Sequence, residues 1–199
     1  MALGREYENQ TCSVAATLEI VGERWTLLIL RDAFLGIRRF EQFQTDLGIA
    51  RNVLASRLDG LVEHGILERS RYQERPERFE YRLTDKGVDL WPVMVSMMQW
   101  GDAHGGIEAG PPLVLEHRDC GGAPDAHRIC DRCGERLGAR DVRARPGPGA
   151  DPNHPLLRVY EERLARAEAS GPSPGALTSQ ATSAAATAAI AATTTNVVS

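Results

Sequence analysis

The sequence predicts a mainly α-helical protein with a small β-wing (α+β), a winged helix-turn-helix that dimerises through its terminal helices. Two observations predict this fold class. Between residues 40 and 63, two segments with helical apolar spacing are separated by Gly48, a residue that tolerates the positive φ of a helix end. After Gly65 come a short strand-like segment and a second segment that alternates apolar and charged side chains, as a half-buried strand does.

Two further helices are predicted ahead of this motif. Residues 13–22 form the first, with Ser13 as its N-cap and Gly22 at its end. Residues 23–35 form the second, which should be the more buried of the two because few of its side chains are polar.

The second helix of the motif has one apolar side and one polar side. The apolar stripe, which should be buried, comprises Val53, Leu54, Leu58, Leu61 and Val62. The opposite side comprises Arg51, Asn52, Ala55, Ser56 and Asp59. Hydrogen-bonding groups at the start of such a helix lie where a recognition helix touches base edges in the major groove. The pattern therefore indicates binding to double-stranded DNA.

The predicted wing carries arginines at its tip. Residues 66–72 form its first strand, and residues 73–78 form a loop that contains Pro76 together with Arg75 and Arg78. Guanidinium groups on a projecting hairpin suit phosphate contact or insertion into the minor groove. The alternative is an ordinary solvated hairpin, but a position directly after a helix-turn-helix favours DNA contact.

After the wing, Thr84 is a predicted N-cap for a helix that runs to about Gly101. Large apolar side chains from Leu90 to Trp100 cover more than one face of this helix. A single domain cannot bury all of them, so we expect a homodimer with twofold symmetry; the alternative is a helix buried within one chain. Pro92 should bend the helix or loosen a turn.

Composition divides the chain of 199 residues into four segments. We predict a DNA-binding and dimerisation domain over residues 1–106, a small cysteine-containing extension over 107–149, and a short helix over 150–168. Residues 169–199 consist mostly of Ala, Ser, Thr, Gly and Pro, and should be disordered because few large apolar groups offset the entropy of ordering.

Hydropathy and charge indicate where the protein acts and how its DNA binding depends on salt. No apolar run approaches the roughly 20 residues of a membrane span, and no signal peptide is recognised, so we expect a cytoplasmic protein. The net charge is −4, yet residues 38–86 hold ten basic and nine acidic side chains, a net of +1. DNA binding should therefore depend on specific contacts and be easily abolished by salt.

The extension carries a candidate metal site. A C-x-x-C-G knuckle places Cys130 and Cys133 so that both thiolates can face one ion, and an H-x-x-C pair adds His117 and Cys120. These four residues match a structural zinc site with three cysteines and one histidine, and a metal would stabilise a unit too small for its own core. His127 is a rival fourth ligand, and reduced cysteines on a loop are the alternative.

The order of these motifs resembles the HxlR-type branch of the MarR-like winged-helix transcriptional regulators. The resemblance runs from Cys12 to about Gly106. It rests on five motifs: CSVAATLEIVGERWTLLILRD, RRFEQF, RNVLASRLDGLVEHGILER, ERPERFEYRLTDKG and WPVMVSMMQWG. It implies a dimeric regulator that binds operator DNA and represses transcription rather than activating it. It is also compatible with a small-molecule or electrophile effector.

The resemblance also implies roles for individual residues. The DNA-facing groups on the recognition helix correspond to Arg51, Asn52, Ser56 and Arg57. Arg38 and Arg39 correspond to clamps on the DNA backbone, and Arg78 to the wing arginine. Where the family usually has Ser or Thr, this chain has Ala50, so about 1 kcal/mol of helix capping is lost.

Cys12 precedes the first predicted helix, a place where the helix dipole favours a thiolate. Some HxlR-type regulators sense oxidants or electrophiles with a cysteine at this position. The alternative is a small apolar residue that packs at the dimer interface. The two hypotheses differ in whether oxidising or alkylating Cys12, with diamide or a quinone, changes operator affinity.

Two other function classes are compatible with parts of this sequence. A protein-interaction scaffold would use the winged helix and the zinc knuckle as docking surfaces. A thiol oxidoreductase would use Cys130 and Cys133, but the sequence offers no base, cofactor loop or substrate pocket for it. We therefore expect no enzymatic activity and no catalytic residues.

Overall fold

The structure, a computed structural model, describes residues 12–106 and 108–155, which belong to one compact unit. The short helix predicted over residues 150–168 lies outside the described residues from residue 156 onward, and so does the whole of segment 169–199. Among the described helices, none has the length and apolar character needed to cross a membrane.

Six helices and four strands make up the described part of the chain. The winged helix-turn-helix comprises α1 (Ser13–Val21), α2 (Thr26–Leu35), α3 (Phe40–Leu47), α4 (Arg51–Glu63), β1 (Leu67–Glu74), β2 (Glu77–Leu83), α5 (Asp85–Val88) and α6 (Trp91–His104). The extension comprises β3 (Leu113–His117) and β4 (Val142–Pro146), which pair antiparallel in a sheet of their own.

The predicted fold class, a winged helix-turn-helix, is confirmed. Gly48 caps the end of α3 with a left-handed φ of 62° and turns the chain toward α4. Gly65 has a φ of 66° and turns the chain from α4 into β1. The two strands of the wing then pair antiparallel.

Two boundaries near the start of the chain differ from the prediction. The N-cap of α1 is Cys12 rather than Ser13, because the Cys12 sulfur accepts a hydrogen bond from the Ala15 N–H at 3.4 Å. The second helix begins only at Thr26, because residues 23–25 form a turn closed by the Thr26 N–H on the carbonyl oxygen of Glu23.

The wing is longer and its turn is tighter than predicted. Gln73 pairs with Arg78 and Glu74 with Glu77, so cross-strand hydrogen bonding continues through most of the predicted loop 73–78. Only Arg75 and Pro76 remain between the strands, and the tip of the wing is correspondingly narrow.

The single helix predicted from Thr84 to Gly101 is in fact two helices. Thr84 caps the four-residue α5 by accepting a hydrogen bond from the Gly87 N–H, and α6 begins separately at Trp91. The expectation that Pro92 bends a helix is wrong. Pro92 lies in the first turn of α6, where its missing N–H would have no partner within the helix.

One apolar core holds α2, α3, α4 and the wing together. Its fully buried side chains include Ile29 and Leu30 of α2, Phe43 of α3 and Leu54 of α4. Tyr81 brings β2 into the same cluster. The helix-turn-helix is therefore anchored on both sides, by the buried α2 and by the wing.

The extension packs on α6 through a second apolar cluster. This cluster comprises Trp91, Val95, Cys130, Leu137 and Val142. The Gln99 side-chain amide also donates to the carbonyl oxygens of Pro124 and Asp125, at 3.0 and 3.1 Å. One of the cysteines of the predicted metal site is thus part of the interface between the extension and α6.

A cluster of charged groups joins α2 to α3. Asp32 is fully buried, and the Asp46 side chain is 1% exposed. The Arg31 guanidinium lies 2.7 Å from Asp32 Oδ1 and 2.8 Å from Asp46 Oδ2. Burial raises the pKa of Asp32 to about 7, and Arg31 opposes this rise only in part because a second carboxylate shares its charge.

We predict that stability depends on pH through Asp32. The pKa of Asp32 is raised on folding from 3.8 to about 7, so its contribution to stability is complete below the lower value and is lost as pH rises through the higher one. Between about pH 5 and pH 8, the free energy of unfolding of the wild type should fall relative to Asp32→Asn by on the order of 1 kcal/mol.

Urea denaturation at both pH values measures this difference, and Asp89→Asn, which neutralises an exposed carboxylate, is the matched control. Equal pH dependence in the wild type and Asp32→Asn would contradict the prediction.

Candidate nucleic-acid interface and metal centre

The rotation of α4 about its axis is set by its buried leucines. Leu54, Leu58 and Leu61 lie one turn apart and are all buried. Arg51 and Asn52 in the first turn, and Ser56 one turn later, are exposed on the other side. The helix begins after Ala50, which offers no side-chain cap. The hydrogen-bonding groups predicted to contact bases therefore lie on a solvent-facing surface.

The start of α4 is adjacent to the start of α3. The Arg51 guanidinium lies over the Phe40 ring, 4.7 Å from its centroid, which restrains the position of the charge. Phe40 directly follows Arg39, so this contact brings the first turn of α4 close to the Arg38–Arg39 pair.

The Arg38–Arg39 pair is in turn held against the wing. The Tyr81 N–H donates to the carbonyl oxygen of Arg38 at 2.7 Å. Arg39 Nε lies 3.3 Å from Glu80 Oε1, and the Arg39 guanidinium lies over the Tyr72 ring, 4.6 Å from its centroid. These contacts connect the recognition helix, the segment before α3 and the wing into one continuous surface, which we call the basic surface.

The six arginines predicted to contact DNA fall into two groups. Arg39 and Arg57 each form an ion pair within the chain. Within residues 12–106 and 108–155, no ion pair involves Arg38, Arg51, Arg75 or Arg78. Arg51, Arg75 and Arg78 are also exposed. The charge of these four side chains is consequently available to an external anion.

Arg57 does not face outward as the resemblance to HxlR-type regulators implied. Its side chain is 19% exposed, and its Nη2 lies 2.8 Å from Glu23 Oε2 in the turn between α1 and α2. The guanidinium therefore points toward the turn rather than out from the exposed side of α4. In this arrangement Arg57 ties α4 to the N-terminal helices.

The four predicted metal ligands lie together. His117 is the last residue of β3, Cys120 follows in the next turn, and Cys130 and Cys133 come from the knuckle. His117 Nδ1 is 3.2 Å from Cys120 Sγ and 3.4 Å from Cys133 Sγ, and the Cys120 and Cys130 sulfurs are 3.4 Å apart. All four donor atoms lie within 4.8 Å of one another, and His127 is not among them.

The surroundings of the cluster favour a thiolate at Cys130 and fix the histidine ring. Burial raises the pKa of the Cys130 thiol, but the N–H groups of Cys133 and Arg132 donate to its sulfur and bring the pKa down to about 6. At Cys133 the Glu135 N–H lowers the pKa of the thiol, but burial and the neighbouring sulfurs outweigh it and raise that pKa to about 11. On the far side of the ring, His117 Nε2 lies 3.5 Å from Glu135 Oε2, the second partner that metal-bound histidines usually have. A Cβ at Gly122 would lie 2.5 Å from Cys130 Sγ, so only glycine fits there.

Cys12 is far from this cluster in sequence and differs in setting. It is exposed and caps α1. The first eleven residues of the chain, with which it is continuous, lie outside the described residues. The hypothesis that Cys12 is a redox sensor stays a prediction.

Similarity to known proteins decides the family. The profile of the HxlR-like helix-turn-helix family matches residues 20–108. The HTH-type transcriptional regulator Rv3095 of Mycobacterium tuberculosis is 51% identical over 147 residues, which cover 74% of this chain and 92% of that protein. The chain belongs to the HxlR-like helix-turn-helix family. A matched segment of 147 residues in a chain of 199 begins no later than residue 53 and ends no earlier than residue 147. The similarity to Rv3095 therefore includes the Cys/His cluster.

Other similar proteins agree with this family. The HTH-type transcriptional regulator YdeP of Bacillus subtilis is 32% identical over 106 residues, 51% of this chain and 83% of its own length. The crystal structure of PA1607, a candidate transcription factor, has a TM-score of 0.55 and 39% identity, and covers 69% of this chain and 96% of its own.

Several contributors to these sites were missed in the sequence of this HxlR-type chain. Glu135 follows the C-x-x-C-G knuckle directly, and that position could have suggested a partner for a ligand. The stacking of Arg51 on Phe40 and of Arg39 on Tyr72 joins residues on different elements. No local pattern indicates such contacts, because they depend on how α3, α4 and the wing pack.

Proposed function

We propose that this HxlR-type regulator binds operator DNA as a twofold dimer and represses transcription by occupying promoter DNA. The observation that carries the proposal is the basic surface, where exposed arginines that form no ion pair within the described residues lie at and around the polar side of α4. Arg51, Asn52 and Ser56 would face base edges in the major groove. Arg38 and Arg39 would bind the DNA backbone, with Arg75 and Arg78 doing so from the tip of the wing.

The ion pairs of the chain explain how an acidic protein can bind DNA. The net charge of −4 opposes approach to a polyanion over long distances. On the wing, however, Glu80 is paired with both Arg39 and Arg82, and Glu77 is paired with Arg71. The charges of these two carboxylates are thus offset within the protein, whereas Arg75 and Arg78 remain available to bind phosphates.

We predict that Arg51→Ala and Arg78→Ala weaken DNA binding. Loss of Arg51 removes a group aimed at base edges and should reduce affinity for a selected operator by about tenfold or more, and loss of Arg78 should lower the salt dependence of binding by about one phosphate contact. Fluorescence anisotropy at several salt concentrations measures both effects.

Arg136→Ala is the matched control, because it removes the same charge from an exposed residue of the extension. Affinities of Arg51→Ala and Arg78→Ala equal to that of Arg136→Ala would contradict the proposal and favour the scaffold alternative.

The proposed dimer rests on apolar side chains that the single chain leaves exposed. On α6, Val93, Met97 and Trp100 are 43, 48 and 66% exposed, and on α1, Val14 and Leu18 are 68 and 39% exposed. Each set lies at helical spacing on one side of its helix. A second copy that covers both terminal helices would bury these side chains, and its recognition helices would meet two half-sites of an operator.

We predict that Trp100→Glu converts the dimer to a monomer. A buried, unpaired carboxylate at the centre of the interface would cost several kcal/mol, whereas the same residue is solvated in the monomer. Light scattering coupled to size-exclusion chromatography measures the mass. Ala126→Glu, at an exposed position of the extension, is the control and should remain dimeric. A wild-type protein that is monomeric at tens of micromolar, or a dimeric Trp100→Glu variant, would rule out this interface.

We further propose that His117, Cys120, Cys130 and Cys133 hold a structural zinc ion. Three sulfurs and one imidazole nitrogen form the donor set that zinc prefers in closed, four-coordinate sites. The hydrogen-bond donors around Cys130 and the carboxylate beside His117 fit metal ligands. Because Cys130 also packs against α6, the metal would stabilise the extension and its attachment to that helix.

We predict one zinc ion per chain in the purified full-length protein. Cys133→Ser or His117→Ala should abolish stoichiometric zinc and lower Tm by about 5 °C or more, because the extension has little core of its own. Elemental analysis and thermal denaturation measure both quantities. His127→Ala serves as the control and should retain the metal. Zinc retained by His117→Ala but lost by His127→Ala would assign the fourth ligand to His127 and contradict the proposal.

A further inference from the structure

An apolar cavity of about 300 Å³ lies between α2, α6 and β3. Its walls include Phe34 of α2, Trp91, Met94 and Met98 of α6, and Leu113 and Leu115 of β3. This volume is at the small end of the range for sites that bind small molecules. The wall from β3 lies beyond residues 20–108, the part of the chain that matches the family profile, so the cavity depends on the extension.

The cavity and the proposed dimer interface lie on different sides of α6. Trp91, Met94 and Met98 face the cavity at helical spacing, whereas Val93 and Trp100 are exposed to solvent and do not line it. Met97 alone belongs to both, as an exposed residue at the rim. A second copy seated on the exposed side of α6 would therefore leave the cavity between α2 and β3.

Two charged residues, Arg31 and Asp102, line the otherwise apolar walls. The charge of Arg31 is already offset by the carboxylates of Asp32 and Asp46, at 2.7 and 2.8 Å. Asp102 has no such partner: within residues 12–106 and 108–155, no hydrogen bond or ion pair reaches its carboxylate. Burial accordingly raises the pKa of Asp102. As far as the described residues show, Asp102 therefore gives the cavity one negative charge that no cation of the chain offsets.

We propose that this cavity binds a small apolar molecule that carries a single positive charge, with the charged group beside the Asp102 carboxylate. The cation supplies the opposite charge that Asp102 lacks among the described residues. Phe34 and Trp91 line the cavity with aromatic rings, a group to which cations are attracted, and the flexible thioethers of Met94 and Met98 adapt to different apolar shapes. An anionic ligand is disfavoured because it would add a second unmatched negative charge. This site goes beyond DNA binding and does not depend on it.

Three probes of the same shape test the proposal on the full-length protein without DNA. They are 1-naphthylmethylammonium, the neutral 1-naphthylmethanol and the anionic 1-naphthylacetate, with binding measured by isothermal titration calorimetry. The cation should bind about tenfold or more tightly than the alcohol, a difference typical of one charge pair that is partly shielded from water, and the anion should bind most weakly.

Two variants separate the contributions of charge and shape. Asp102→Asn should remove the preference for the cation while the alcohol still binds, and the control Asp89→Asn, which neutralises an exposed carboxylate near the start of α6, should keep the preference. Leu113→Ala, which opens the wall from β3, should weaken all three probes alike. Circular dichroism establishes that each variant is folded.

Several outcomes would overturn the proposal. Equal affinity for the cation and the alcohol would remove the role of Asp102, as would an unchanged preference in Asp102→Asn. Binding by the monomeric Trp100→Glu variant but not by the wild type would show that a second copy fills the cavity. An absence of saturable binding up to millimolar concentrations would show that the cavity is not a site for such ligands.

Discussion

The burial of three leucines on one side of α4 is the constraint on which the proposed DNA-binding surface depends. Leu54, Leu58 and Leu61 are held in a core formed by the buried α2 and by Phe43 of α3. An α-helix turns by about 100° per residue, so this packing leaves no freedom in which residues face outward. Arg51, Asn52 and Ser56 are exposed because the leucines are buried, and the wing is fixed to the same core through Tyr81.

Ion pairs within the chain then select which positive charges remain available. Arg57 is close to the exposed residues of α4 in sequence, yet its guanidinium ties α4 to the turn at Glu23. Arg39 is shared between Glu80 and the Tyr72 ring. What distinguishes Arg51, Arg75 and Arg78 is the lack of a carboxylate partner among the described residues, a property of the folded arrangement that net charge does not reveal.

The extension is joined to the winged helix-turn-helix through α6. Its packing on Trp91 and Val95 couples the Cys/His cluster to the helix whose outer side carries the proposed dimer interface. The same packing closes one side of the apolar cavity beside α2. In this arrangement α6 has three neighbours: the core, the extension and, in the proposed dimer, a second copy.

The fold class was predictable because it depends on short-range patterns in the sequence. The motif was indicated by helical apolar spacing in α3 and α4 and by glycines at positions 48 and 65. The Cys/His cluster, whose four donor atoms lie together in the structure, was indicated by the H-x-x-C and C-x-x-C-G spacings. The errors arose where local patterns leave alternatives open. A proline such as Pro92 is compatible with bending a helix or with starting one, and packing decides between them. The direction of the Arg57 side chain and the cavity beside Asp102 depend on distant segments, so no local pattern predicts them.

A structure of the full-length protein bound to a DNA duplex that it selects from a random pool would show which surface of the protein contacts DNA. We expect two copies related by a twofold axis, with their α4 helices in successive major grooves about 34 Å apart. Arg51 and Asn52 should lie within hydrogen-bonding distance of base edges, and the wing tips against the flanking backbone. A complex in which DNA contacts another surface, or in which protein covers the exposed side of α4, would contradict it.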